Sequence, residues 1–264
     1  MYDFNYHRPA SIEDALAALA GAEDGSFMAG GQTMLPTLKQ RLAAPSDVID
    51  LQGIAELQGI TIEDNEVTIG AMTKHADVAA SSQVAQSIPA LSHLAGGIGD
   101  AQVRNRGTMG GSIANNDPAA DYPAAVLGLK ATVHTNQRDI AADDFFQGMF
   151  ETALETNELI TQVSFTIPDK AGYIKFPNPA SRYAVVGVMV AMIDGQVRVA
   201  ITGAGPCVFR HSEMEAALNN NFSADALNGI QTSPDELNGD IHASAEYRAN
   251  LISVMAKRLV TSLE

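Results

Sequence analysis

The stretch GDAQVRNRGTMGGSIANNDPAADYP, residues 99–123, decides how this chain is read. It sets a paired-glycine turn, Gly110–Gly111, among small side chains, three Asn and three Asp. A glycine pair lets the backbone adopt conformations other residues resist, and it presents successive N–H groups to an anion with no side chain in the way. A second pair lies at the start of AGGQTMLP, from Ala29, after the short apolar run SFMAG and before a helix-like segment. Strand, glycine turn, helix is a pattern that can hold a phosphate group. With 16 Lys and Arg against 31 Asp and Glu, the chain carries a formal net charge of −15. That balance disfavours nucleic acid and anionic membranes, both of which need cationic side chains to neutralise phosphate. A phosphorylated ligand would therefore be held largely by backbone amides.

The 264 residues suffice for one large domain or two modest ones, and 46% hydrophobic content supplies a core. No uninterrupted apolar run approaches the ~18 residues of a membrane span, and the start MYDFNYHRPASIEDA lacks the features of a secretory signal. The expectation is a cytoplasmic protein without a membrane span. Cys207 is the only cysteine, so an intrachain disulfide is excluded and a thiolate-ligated cluster built from this chain alone is disfavoured.

Along the chain, SIEDALAALA opens with a capping pattern, Ser11 followed by Asp14, and predicts a helix ending at Gly21. Thr33 is the expected N-cap of a helix through Leu42, with Pro36 in its first turn. VIDL at Val48 to Leu51 reads as a buried strand, and GITIEDNEVTIGA as a hairpin turning at Glu63 to Asn65. Thr73 is the expected cap of a helix through Val78, and another helix is expected from Ile88 to Leu94. DYPAAVLGL predicts a short helix, capped by Asp121, that feeds the strand KATVHT; NELITQVSFTIP is a further strand ended by Pro168. Beyond Asp169 the texture changes. Asp194–Gly195 between two apolar runs is a strong hairpin signal, and SAEYRANLISVMAKRLVTSL predicts an amphipathic helix burying Tyr247, Leu251, Val254, Met255 and Leu259.

Other chemistries lack support. GGIGDAQ and GAGPCV each lack the third glycine and the βαβ setting of a dinucleotide fingerprint, and no GxxxxGK[ST] occurs. Asn115, Asn116, Asp117 and Asp121 have no His or Glu at ligand spacing, and Pro118 splits them. Ser112 has no GxSxG frame, Cys207 has no basic neighbour, and the six His are scattered, reading as surface or core residues.

AGGQTMLPTLKQRLAAPSDVIDL, VTIGAMTKHADV, QVRNRGTMGGSIANNDPAADYPAAVLGLKATV, NELITQVSFTIP and HASAEYRANLISVMAKRL occur in the order seen in the FAD-binding medium subunits of molybdenum hydroxylases. Across nearly its whole length the chain resembles the carbon monoxide dehydrogenase medium chains and, more distantly, the FAD domain of xanthine dehydrogenase. The resemblance implies an α+β fold: a two-subdomain FAD-binding domain of the p-cresol methylhydroxylase (vanillyl-alcohol oxidase) type over residues 1–170, with subdomains at about 1–55 and 56–170. A C-terminal α+β domain with an antiparallel sheet would follow over residues 171–264.

It also implies a site. FAD, held noncovalently, would lie between the subdomains with its diphosphate on amides of two loops, Ala29, Gly30, Gly31, Gln32 and Thr33, and Thr108, Met109, Gly110, Gly111 and Ser112. Asp121 matches an acid that bonds sugar or ribityl hydroxyls, and Ile98 and Ile160 match apolar positions beside the ring systems. Lys175 matches a lysine near the flavin, and Tyr183 an aromatic residue covering the isoalloxazine. The implied partners are a small subunit with two [2Fe-2S] clusters and a large molybdopterin subunit, with the chain passing electrons through its flavin to an external acceptor. GGQT stands where GGQS or GGHS is commoner, which keeps the hydroxyl. The readings that compete with it are a self-sufficient flavin oxidase or reductase on the same fold, and a scaffold whose glycine turns only shape loops.

Overall fold

The computed structural model describes residues 1–264. Three sheets carry the architecture. The first is parallel and three-stranded, with Asp47–Asp50 between Asn5–His7 and Gly25–Met28. All four residues of its central strand are buried, the two acids included: Asp50 accepts from the Tyr6 hydroxyl at 2.6 Å and from Gln52 N at 2.9 Å. The helix Ile12–Gly21 packs on this sheet and is capped as expected, with Ser11 accepting from Asp14 N. The segment Met34–Lys39 is also helical, but it stops short of Leu42 because Arg41 turns into the left-handed region (φ 59°).

The second sheet is antiparallel, in the order Ile60–Glu63, Glu66–Gly70, Ile160–Thr166, Thr132–Thr135, Asp139–Ala141. Its hairpin turns where predicted, with Asp64 at φ 52°. The short helices between residues 75 and 128 cover one face. Thr73 does not cap the helix His75–Ala80. Lys74 holds that position, and the Thr73 hydroxyl is diverted to the Gly59 backbone, donating to its carbonyl and accepting from its N–H at 3.0 Å each.

The third sheet runs Lys170–Pro177, Ala184–Ile193, Gln196–Thr202, Phe209–Arg210, all antiparallel, around the Asp194–Gly195 turn. AVVGVMVAMI reads as a continuous apolar run because both faces are covered. Met189, Ala191 and Ile193 join the core shared with the helix Tyr122–Gly128, while Val186, Val188 and Val190 face the C-terminal helix Ala245–Leu263. A sheet buried on both sides has no solvent face to demand alternation.

The C-terminal helix buries Leu251, Met255 and Leu259 as expected, but not Tyr247 or Val254. Its buried residues are Arg248, Ala249, Leu251, Ile252, Met255, Ala256, Leu259 and Val260, leaving Tyr247 exposed and Val254 half-buried. Arg248 takes the inward place because its guanidinium satisfies the carbonyls of Val185 and Gly203, at 2.6 and 2.9 Å, and pairs with Asp240 at 2.7 Å. The third sheet is also fastened to the helix Tyr122–Gly128: Arg198 donates to the terminal carbonyl of Leu127 at 2.9 and 3.1 Å and grips both Asp143 oxygens. The largest core cluster accordingly contains residues from both sides of position 170.

Candidate functional site

The two glycine loops meet in space. The first follows the strand Gly25–Met28, and Gly31 adopts φ +71°, which a side chain resists. A Cβ on Gly30 would collide with the carbonyl oxygen of Arg106 and lie 2.8 Å from Cα of Gly107. A Cβ on Gly111 would lie 2.9 Å from Cβ of Ala29. Bare Cα atoms are what permit the contact.

Their amides are used differently. None of the N–H groups of Ala29, Gly30, Gly31, Gln32 and Thr33 has a hydrogen-bond partner in the protein, although Gly30 is buried. An unpaired N–H in a buried residue is rare and costly, so Gly30 has a place for an acceptor that the chain itself does not supply. In the second loop, Met109 N donates to Thr73 O at 3.0 Å, Gly110 N to Ala71 O at 2.8 Å, Gly111 N to the Thr108 hydroxyl at 3.2 Å and Ser112 N to Thr108 O at 3.0 Å. Only the N–H of buried Thr108 is left over. The second turn is thus the start of a helix, Met109–Asn115, in which Thr108 is a true N-cap. Thr33 stands at the equivalent place before Met34–Lys39 with αR dihedrals and makes no cap bond.

A cleft of about 750 Å³ opens at this junction, toward the upper end of the about 300–1,000 Å³ usual for small-molecule sites. Every residue named for the site from sequence lines it except Met109 and Lys175. Met109 points into the core and is fully buried there. Lys175 reaches Asp121 from behind: its Nζ lies 3.0 Å from Oδ1 and 3.1 Å from Oδ2, and also donates to the carbonyls of Gly97 at 2.8 Å and Arg182 at 2.9 Å.

Asp121, 4% exposed, therefore does not cap the helix it precedes. Its carboxyl accepts from the Tyr173 hydroxyl at 2.5 Å and from Lys175. Burial pushes this carboxyl above the usual range, opposed by the Lys175 charge and the Tyr173 hydrogen bond. The same surroundings raise the Tyr173 phenol, through burial first and the Asp121 charge second. By holding Arg182 O, Lys175 also anchors the turn Asn178–Tyr183, where Asn178 Oδ1 accepts from Ala180 N and Ser181 N. Tyr183 stands at its end, 47% exposed, between the main cleft and a second cavity of about 430 Å³.

Two residues that sequence reading passed over also line the cleft. Glu158 is buried and fully engaged by Arg138, Thr135 and Glu155 N, and the Arg138 guanidinium is the main reason its carboxyl falls to about 2. His75 is buried against Tyr122, ring centroids 5.2 Å apart, and burial holds its imidazole down to about 4. Both lie within segments that carry the family resemblance, but their surroundings depend on neighbours distant in the chain.

Residues 2–169 match the family described as the FAD binding domain in molybdopterin dehydrogenase. The chain is 34% identical over 278 residues to the nicotine 6-hydroxylase medium subunit of Paenarthrobacter nicotinovorans, covering 97% of this chain and 95% of that one. It is 34% identical over 280 residues to the carbon monoxide dehydrogenase medium chain of Afipia carboxidovorans, with 97% and 95% covered. Among solved structures, reconstituted CO dehydrogenase from Oligotropha carboxidovorans superposes with a TM-score of 0.89 at 32% identity, over 98% of this chain and 96% of that one. The chain belongs to the FAD-binding family of molybdopterin dehydrogenases, a family of oxidoreductase subunits whose cofactor is FAD. The site fits that cofactor on its own terms, with a cleft of suitable size, unpaired amides at buried Gly30 and Thr108, and a pair of loops where a Cβ on Gly30, Gly110 or Gly111 would intrude.

Proposed function

We propose that this chain is the electron-transfer flavoprotein subunit of a molybdenum hydroxylase complex, holding one noncovalent FAD in the cleft described. A [2Fe-2S] subunit would deliver electrons that a molybdopterin subunit removes from the substrate, and an external acceptor would take them away. Two relatives are named as medium chains or subunits, which supports an assembly of this kind. When bound, FAD supplies the redox chemistry, accepting electrons and passing them on.

The chain's own residues bind, orient and shield. Ala29 to Thr33 would give their free N–H groups to the diphosphate, with Thr108 N adding one from the opposite loop. Asp121, fixed by Tyr173 and Lys175, would accept from ligand hydroxyls with the outer lone pairs of its carboxylate. Ile98 and Ile160 would bound the ring systems, and Tyr183 would cover one end of the cleft. No acid–base pair of the protein's own is required. The observation that carries this reading is the run of unpartnered amides from Ala29 to Thr33, which includes buried Gly30, where a Cβ would strike the Arg106 carbonyl.

The test is reconstitution. FAD bound to the chain should be reduced by substrate only when both the molybdopterin and iron–sulfur subunits are present, as followed by flavin bleaching in stopped flow. Turnover of an organic substrate by the isolated chain would instead establish a self-sufficient flavin enzyme, and a preparation that takes up no FAD would remove both readings.

A further inference from the structure

His75 lies at the junction of the two glycine loops and has no partner there. Its main-chain N–H donates to Gly107 O at 3.0 Å, and Lys74 bridges to Thr108, so the segment beneath the second loop is fixed in register with it. The side chain is correspondingly confined. It is 4% exposed, stacked obliquely on Tyr122, and Nε2 comes so close to Gly107 that a Cβ there would be 2.5 Å away. Neither ring nitrogen makes a hydrogen bond within the protein. Nδ1 is sealed from solvent as well, whereas Nε2 is not sealed and the residue lines the cleft.

The tautomer follows from this asymmetry. A sealed, unpaired N–H is the costlier orphan, so the proton belongs on Nε2 and the bare lone pair on Nδ1. Burial and the nearby Arg104 charge keep the ring neutral, so it is a donor without being a cation. A neutral donor at this point suits an oxygen ligand that several main-chain amides already surround.

We propose that His75 is a cofactor-contact residue, donating from Nε2 to an oxygen of the ligand where the glycine loops meet. Resting on the FAD reading above, that oxygen belongs to the diphosphate. His75 thereby adds a side-chain donor to what is otherwise a main-chain cradle.

The full-length chain, stripped of flavin, is titrated with FAD as wild type, His75→Leu and His75→Gln, with melting of each apo-protein recorded alongside. His75→Leu should bind FAD about tenfold more weakly, in line with loss of one hydrogen bond to a charged group. His75→Gln, which returns an N–H to the Nε2 position, should recover affinity to within about threefold of wild type. Wild-type affinity in His75→Leu, or equal losses in both variants, would overturn the proposal. A second measurement does not depend on variants folding: ring ¹⁵N spectra should show the Nε2–H tautomer, with its resonance shifted on adding FAD. A ring spectrum indifferent to FAD overturns the contact, while failure of the wild-type chain to bind FAD overturns the cofactor reading and this one with it.

Discussion

The two glycine loops look alike in sequence, AGGQT and TMGGS, yet they do different work. The first leaves five successive N–H groups unused, whereas four of the five in the second are taken by Thr73, Ala71 and Thr108. The first therefore keeps its amides free, and the second is a wall whose glycines let the first come close. Small residues at a turn can serve a ligand directly or serve the neighbour that serves it, and only the destination of each amide separates the two.

The largest effect that tests this contrast is expected at Gly30. Gly30→Ala drives a methyl group into the Arg106 carbonyl, a backbone atom that cannot step aside. Loss of about 3 kcal/mol or more of stability is expected by chemical denaturation, together with loss of bound flavin read as the absorbance ratio. Retention of both would mean that the loops do not meet as described.

Next in size is a pH effect confined to the wall. His75 has an unfolded value near 6.5 and a folded value of about 4, so below pH 6.5 the unfolded chain binds a proton that the folded one refuses. Stability from this group is present above pH 6.5 and is lost as pH falls toward 4, by about 3 kcal/mol from a shift worth about 1.4 kcal/mol per unit. Denaturation midpoints of wild type and His75→Gln should diverge in slope over that interval and run parallel above it. Parallel curves throughout would show that burial does not hold the ring neutral.

The smallest contrast lies in the two threonines. Thr108→Ala removes an N-cap bond and should cost about 1 kcal/mol, whereas Thr33→Ala removes none and should cost less than about 0.5 kcal/mol. Equal costs, measured as shifts in melting temperature, would erase the distinction drawn between the loops.

Much of this was legible in the sequence wherever the signal is local. The Ser11 cap, the turns at Asp64 and Asp194–Gly195, the paired glycines and the apolar strands all follow from residues within a few positions of one another. What was not legible depends on distant partners. Asp121 has the spacing of a helix cap, but Tyr173 and Lys175, more than fifty residues on, draw its carboxyl away. Thr73 is drawn off in the same way by Gly59. Met109 sits inside a glycine motif, yet the helix it begins turns its side chain to the core. His75 could not be singled out at all, since its isolation is a property of what surrounds it.

The clasp formed by Lys175 bears on how the protein can be divided. The stretch that matches the family ends at residue 169, but the ammonium compensating Asp121, the phenol beside it and the turn bearing Tyr183 all come from later in the chain. A fragment trimmed to the matched stretch would keep an acid at the floor of the cleft and discard both of its donors, while baring the apolar side of the Tyr122–Gly128 helix. Such a fragment would be a different object from the intact molecule, and its failure to hold flavin would say nothing about the two glycine loops.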